Sequence, residues 1–148
     1  MTRSNVRELA VQLIFMSDFT DESPSVLQEQ MLQAPYYQTL RNEFSLFQDA
    51  PAKKQMAYIS ELIEGVTERR SELDEYISQY SIGWKLERIS HICKAIMRVA
   101  MYEILYVEDV PDSVAIHEAV EFARRYEDED AVAFVNGLLG SFVRGVHV

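Results

Sequence analysis

Apolar residues along this chain recur with the spacing of helices, and strand-like alternation does not persist anywhere. In residues 3–17, for example, Val6, Leu9, Leu13 and Met16 fall three or four positions apart, which predicts a helix with one buried face. The same spacing predicts helices over about 24–33, 36–48, 52–80, 92–107 and 111–126, a short one over 84–89, and a last one after the acidic link 127–130. The pattern is typical of an all-α protein of about seven helices with short connections.

Helix starts and interruptions are predicted by prolines, glycines and acidic residues. Pro51 and Pro111 stand where helices are expected to begin, and Ser81–Gly83 is expected to stop one. Gly65 weakens the middle of the long helix over 52–80. The acidic link 127–130 suits the positive N-terminal end of the last helix.

The length of 148 residues is most simply that of one domain, 1–148, which can bury a substantial core. We expect a three-helix N-terminal part of about 1–80 packed against a four-helix C-terminal part of about 81–148. The two helical subdomains are expected to fold as one cooperative unit.

The net charge of −10 argues against a protein that coats nucleic acid through bulk electrostatics, and it suits a basic protein partner. The one cysteine, Cys93, excludes an intramolecular disulfide and a multi-cysteine zinc site, and it suits a reducing cytosol. No apolar run approaches the ~18–20 residues of a membrane helix. These features predict a cytoplasmic protein without a membrane segment.

The sequence contains few features that are typical of an enzyme. The three histidines, His91, His117 and His147, are scattered and lack metal-ligand spacing. Nucleophile motifs and phosphate-cradling glycine loops are missing from the sequence. We therefore expect no catalytic residues, no metal and no cofactor.

Basic residues form several small clusters, most of which we interpret as solvated spots on an acidic protein. The cluster 53–54 is one of these, as are the pairs 69–70 and 124–125. Arg3 and Arg7 differ because Phe15 follows two turns later on roughly the same side of the predicted helix. Arginines beside aromatic rings are typical of proteins that bind single-stranded RNA. Phe134 and Asn136 on the last helix offer a second stacking and hydrogen-bonding pair.

Several spaced blocks carry a family likeness. They are Arg7-Glu-Leu-Ala10, Trp84-Lys-Leu-Glu-Arg88, Lys94-Ala-Ile-Met-Arg98, Val114-Ala-Ile-His-Glu-Ala-Val-Glu121 and Phe134-Val-Asn-Gly137. In this order and over essentially the whole chain, they resemble the NusB family of transcription antitermination proteins. The resemblance implies an all-helical RNA-binding fold of two packed subdomains without enzymatic activity.

The resemblance also implies partners and a site. It implies binding to boxA-type single-stranded RNA jointly with the small ribosomal protein NusE, within a larger antitermination complex on RNA polymerase that promotes rRNA transcription. The partner protein is expected on the face formed largely by helices of 84–126. By position, the RNA site carries over to Arg3, Arg7, Phe15, Asp130, Phe134 and Asn136.

Departures from the family pattern predict weaker RNA binding. Ala131 and Ala133 occupy positions usually held by serine and lysine, and only Arg3 precedes Arg7 where relatives often have an arginine run. Each lost phosphate contact lowers affinity through counterion release.

The main alternative is a helical adaptor or homodimer with weak or no RNA binding; the oligomeric state is left open as monomer or homodimer. A third hypothesis, a fragment of an rRNA methyltransferase that carries a similar helical domain, is disfavoured because the chain has no room for the catalytic domain.

Overall fold

The chain forms seven α-helices and one short 3-10 helix in the residues that the computed structural model describes, 1–31 and 51–147. The helices are α1 (Arg3–Ser17), α2 (Pro24–Met31), α3 (Lys53–Glu68), α4 (Arg70–Tyr80), α5 (His91–Tyr106), α6 (Asp112–Tyr126) and α7 (Glu129–Val146), with the 3-10 helix at Leu86–Arg88. The described ranges contain no strand, which confirms the all-α prediction. The helix predicted over 36–48, and the end of the one predicted over 24–33, lie outside the described residues.

The chain divides into two compact units, Met1–Thr67 and Glu68–Val148. The boundary therefore falls before α4, whereas the sequence placed it near residue 80. A partly buried ion pair joins α4 to α5 in the second unit, in which Arg98 Nε and Nη2 donate to the two carboxylate oxygens of Asp74 at 2.8 and 3.0 Å. Such bidentate pairing fixes α4 against α5. The expectation of a single domain stays a prediction.

The first unit contains α1, α2 and α3. Thr2 caps α1, since its Oγ1 accepts a hydrogen bond from the backbone N–H of Asn5 at 3.0 Å. Every residue of the stretch 6–11 is buried, so the middle of α1 is covered on all sides rather than on one face. Gln28 ties α2 to α3, because its Nε2 donates to the carbonyl oxygen of Met56 at 3.3 Å and its Oε1 accepts from Ser60 Oγ at 3.0 Å.

The long helix predicted over 52–80 is two helices, α3 and α4, separated at Arg69 and not weakened at Gly65. Arg69 leaves the helical region with φ −106° and ψ 16°. Its guanidinium carbon lies 4.1 Å from the centre of the Tyr106 ring, and its Nη1 donates to the Tyr106 hydroxyl at 3.1 Å. This contact with α5 lies at the interruption, which neither proline nor glycine marks in the sequence.

In the second unit, α5, α6 and α7 pack against one another, and α4 contacts α5 and α7. Ala115, Ala119 and Ala123 are all buried on α6, so the small-residue face read from the sequence is a packing face. At the end of α7, a Cβ on Gly145 would overlap the hydroxyl of Tyr80, so a larger residue there would force the Tyr80 side chain to move. Within the described ranges, every helix is either too short or too polar to cross a bilayer.

Candidate nucleic-acid interface

The start of α7 is built by an acidic cap. Asp128 has extended backbone angles, and its Oδ1 accepts a hydrogen bond from the backbone N–H of Ala131 at 2.9 Å. Glu129 and Asp130 occupy the first turn and are exposed. These carboxylates stabilise the positive end of the helix, as the sequence predicted for the acidic link.

An aromatic pair stands beside this helix start. Phe134, one turn after Asp130, lies with its ring centre 5.9 Å from that of Trp84, at an interplanar angle of 56°. Trp84 is 53% exposed, which is unusual for the largest apolar side chain. The two rings, together with Asp130 and Arg88, line a cavity of about 210 Å³. Phe134 and Asp130, predicted as RNA-binding residues, are thus brought to one site.

At the inner wall of this cavity, the start of α5 is hydrogen-bonded to the link between α6 and α7. Ser90 caps α5 by accepting from the backbone N–H of Cys93 at 3.2 Å, and its hydroxyl donates to Glu127 Oε1 at 2.7 Å. Cys93 is buried, and burial is the main cause that raises its pKa above the ordinary 9.0. The negative charges of Glu127 and Asp128 raise the pKa of Cys93 further, against a smaller lowering by the Ser90 hydrogen bond. The thiol therefore stays protonated at neutral pH.

Asn136 lies apart from the aromatic pair. It is exposed, but residues two positions apart on a helix point to different sides, and the lining of the cavity is formed by Phe134 and its neighbours. The sequence treated Phe134 and Asn136 as one pair. The structure separates them, and a role for Asn136 in RNA binding stays a prediction.

The two arginines of α1 have different surroundings. Arg3 is exposed, and its guanidinium carbon lies 5.0 Å from the centre of the Tyr58 ring of α3. Arg7 is only 3% exposed, and its side chain interacts within the protein. Of the two predicted RNA-binding arginines, Arg3 alone presents its charge at the surface of this structure.

Phe15 is half-buried near the end of α1. Its ring meets that of Phe19 edge-on, with the ring centres 5.0 Å apart at 66°. Phe19 is 63% exposed, so it forms the outer part of this aromatic pair. The predicted role of Phe15 in stacking stays a prediction, and the more accessible ring is that of Phe19.

Sequence reasoning missed Trp84 and Tyr58 as members of these surfaces. Trp84 is the one tryptophan of the chain and follows directly after Gly83, whose φ of 81° makes a turn there. A tryptophan beside an exposed turn is a usable signal for a binding surface, since tryptophan is enriched at such sites. Tyr58 gave no such signal, because it follows the apolar spacing of α3.

The described residues contain no group of three or more histidine, cysteine, aspartate or glutamate side chains that could hold a metal ion. The two surfaces offer aromatic area, the exposed arginines Arg3 and Arg88, and a set of carboxylates.

A profile described as the NusB family matches residues 4–144. The chain belongs to the NusB family. Among its relatives, the transcription antitermination protein NusB of Symbiobacterium thermophilum is 39% identical over 146 residues, which cover 99% of this chain and 92% of that protein. The protein of the same name from Bacillus subtilis is 35% identical over 141 residues, covering 95% and 94%.

Solved NusB structures share this fold. NusB of T. maritima superposes with a TM-score of 0.81 at 30% identity, covering 97% of this chain and 92% of that one. A chain from a crystal structure of antitermination factors NusB and NusE in complex with dsRNA gives a TM-score of 0.75 at 18% identity, covering 97% and 96%. At that identity the second likeness shows the fold alone.

Proposed function

We propose that this NusB-family chain is a transcription antitermination factor that binds single-stranded boxA-type RNA jointly with NusE. Its curated relatives carry the name transcription antitermination protein NusB, and a NusB protein of the same fold has been crystallised with NusE and dsRNA. The joint complex is proposed to associate with elongating RNA polymerase in the cytoplasm. The protein contributes binding surfaces and no catalytic step.

The observation that carries the proposal is the Trp84–Phe134 pair at the start of α7. Two rings that touch at an accessible cavity give a base a stacking surface, and stacking contributes about 1–3 kcal/mol per base. An aromatic pair of this kind in the core would be covered, whereas Trp84 is half-exposed. The exposed apolar area favours a surface that binds a ligand.

Charge explains why a second protein takes part. Glu127, Asp128 and Asp130 line the cavity with the aromatic pair, and their carboxylates repel phosphate groups. Ala133 is exposed and carries no cation. RNA affinity of the chain alone is therefore weak, and a basic partner supplies the missing positive charge while being attracted by the net charge of −10.

The test is a titration of labelled boxA-like RNA with this chain, with and without a NusE-type protein. We expect tighter binding with the partner. Phe134→Ala should weaken binding by 1–3 kcal/mol of stacking energy, which is about 5- to 150-fold in Kd. Circular dichroism is the control: Phe134→Ala should keep the wild-type helix content, because Phe134 is only partly buried, so that a loss of affinity reports the missing ring and not unfolding.

Two outcomes would contradict the proposal. One is an absence of RNA binding even with the partner present. The other is a stable homodimer that binds the partner but not RNA, which would support the helical adaptor instead. Light scattering over a concentration series distinguishes the dimer from the monomer.

A further inference from the structure

A second accessible cavity lies in the first unit, where the N-termini of α1 and α3 come together. It has a volume of about 270 Å³ and is lined by Arg3 and Val6 of α1 and by Lys54, Gln55 and Tyr58 of α3. Gln55 joins the two helix starts, because its Nε2 donates to the carbonyl oxygen of Met1 and its Oε1 accepts from the backbone N–H of Ala52 at 2.8 Å. We call this site the Arg3–Lys54 cavity.

The local charge of the Arg3–Lys54 cavity is opposite to that of the protein as a whole. Each helix N-terminus carries roughly half a positive charge, and two of them meet here. Neither α1 nor α3 has an acidic residue in its first turn to neutralise that charge. Arg3 and Lys54 add two full charges, and both side chains are exposed. In a chain with a net charge of −10, such a site favours an anion.

Tyr58 positions one of these cations. The guanidinium of Arg3 lies over the Tyr58 ring at 5.0 Å, which restricts a long side chain before any ligand arrives. Tyr58 and Val6 also give the cavity an apolar wall. A positive rim next to an apolar wall suits a nucleotide unit, in which a phosphate adjoins a sugar and a base, better than it suits a free inorganic anion.

We propose that the Arg3–Lys54 cavity binds a phosphodiester of single-stranded RNA, with Lys54 and Arg3 as its cations and Tyr58 as the residue that positions Arg3. The inference rests on the proposed RNA-binding function and extends the RNA contacts to α3, which the family resemblance does not assign. The sequence pattern predicted that the cluster 53–54 is only a solvated spot. The proposal instead gives one of its two lysines, Lys54, a role in RNA binding.

The test compares two neighbouring lysines in the full chain, with the NusE-type partner present. The probe is a labelled single-stranded RNA that extends beyond the boxA-like element on both sides. Lys54→Gln should lower the affinity about fivefold at about 0.1 M salt and reduce the salt slope by about 0.7, the values for one phosphate contact to a single strand. Lys54→Arg keeps the charge and should retain the wild-type affinity.

Lys53→Gln is the matched control, because Lys53 is exposed and precedes Lys54 but does not line the cavity. It removes the same charge and should change the affinity much less. Equal losses in the two variants would mean general electrostatics and would overturn the inference, as would wild-type affinity in Lys54→Gln. If the wild-type chain itself fails to bind RNA, the proposed function fails. Circular dichroism of both variants checks that α3 is intact.

Discussion

The two cavities both combine an aromatic ring with charged side chains, but the signs of those charges differ. In the first unit, Tyr58 is accompanied by Arg3 and Lys54. In the second unit, Trp84 and Phe134 are accompanied mainly by carboxylates, those of Glu127, Asp128 and Asp130. The first is suited to phosphate and the second to base stacking. RNA binding by this chain therefore depends on two physically different contributions.

These contributions differ in their response to salt. Phosphate contacts release counterions and weaken as salt rises, whereas stacking on apolar rings does not depend on counterion release. Variants at the Arg3–Lys54 cavity should change the salt slope, and Phe134→Ala should lower affinity with little change in that slope. Measuring both quantities for each variant separates the two cavities.

The largest expected effect is that of Arg7→Ala, and it tests which arginine of α1 belongs to the RNA-binding surface. Arg7 is 3% exposed, so truncation of its long side chain leaves a cavity in the first unit. We expect the free energy of unfolding to fall by about 3 kcal/mol. Urea unfolding measures it, and Arg3→Ala, at an exposed position, is the control that should leave stability nearly unchanged. A stable Arg7→Ala variant with impaired RNA binding would instead place Arg7 at the interface.

A smaller effect, on RNA affinity, is expected from Ala133→Lys. This variant adds a positive charge beside the Trp84–Phe134 cavity and so makes the charges of the two cavities more alike. Ala133 is exposed on α7, one residue before Phe134, so a lysine fits without disturbing the core. One added phosphate contact should raise RNA affinity about fivefold at about 0.1 M salt and steepen the salt slope by about 0.7. The gain should be largest without the NusE-type partner.

The control for Ala133→Lys is His117→Lys, which adds a similar charge at an exposed position of α6. An equal gain in both variants would attribute the effect to net charge and not to the start of α7. No gain in either would mean that phosphates do not approach this helix.

The smallest expected effect is on the pH dependence of stability and concerns Cys93, whose thiol lies in the lining of the Trp84–Phe134 cavity. Its pKa in the folded protein is raised above the ordinary value of 9.0. The protonated thiol therefore adds stability that is complete below about pH 9 and is lost as the pH rises through the folded pKa. Urea unfolding at about pH 8 and about pH 10 should show a larger loss for the wild-type chain than for Cys93→Ala. Equal losses would mean that the thiol keeps its ordinary pKa.

Local signals in the sequence were sufficient for most helix boundaries. The starts of α1, α6 and α7 follow from apolar spacing, Pro111 and the acidic link, all within one or two turns of the boundary. The break at Arg69 could not be found this way, because no proline or glycine marks it and the residue that Arg69 contacts there, Tyr106, lies 37 residues further along the chain. The predicted short helix over 84–89 is reduced to the 3-10 helix Leu86–Arg88, and Trp84 lies outside it, in contact with Phe134 of α7.

The candidate site was likewise predicted from the sequence only in part. Asp130 and Phe134 are one turn apart, so their proximity follows from helix geometry. Burial of Arg7 does not follow from the sequence, because the apolar spacing of α1 predicts one covered face and the structure covers its middle on all sides. Trp84 was absent from the predicted site, since its partner lies in another helix.

Trp84 also gives the protein an intrinsic spectroscopic probe. It is the one tryptophan among 148 residues, half-exposed and in contact with Phe134. Tryptophan emission therefore originates from the stacking cavity of the second unit, and a base placed on that ring quenches it. The Arg3–Lys54 cavity contains no tryptophan and gives no such signal. Fluorescence of the unlabelled chain thus follows occupancy at one surface independently of the other.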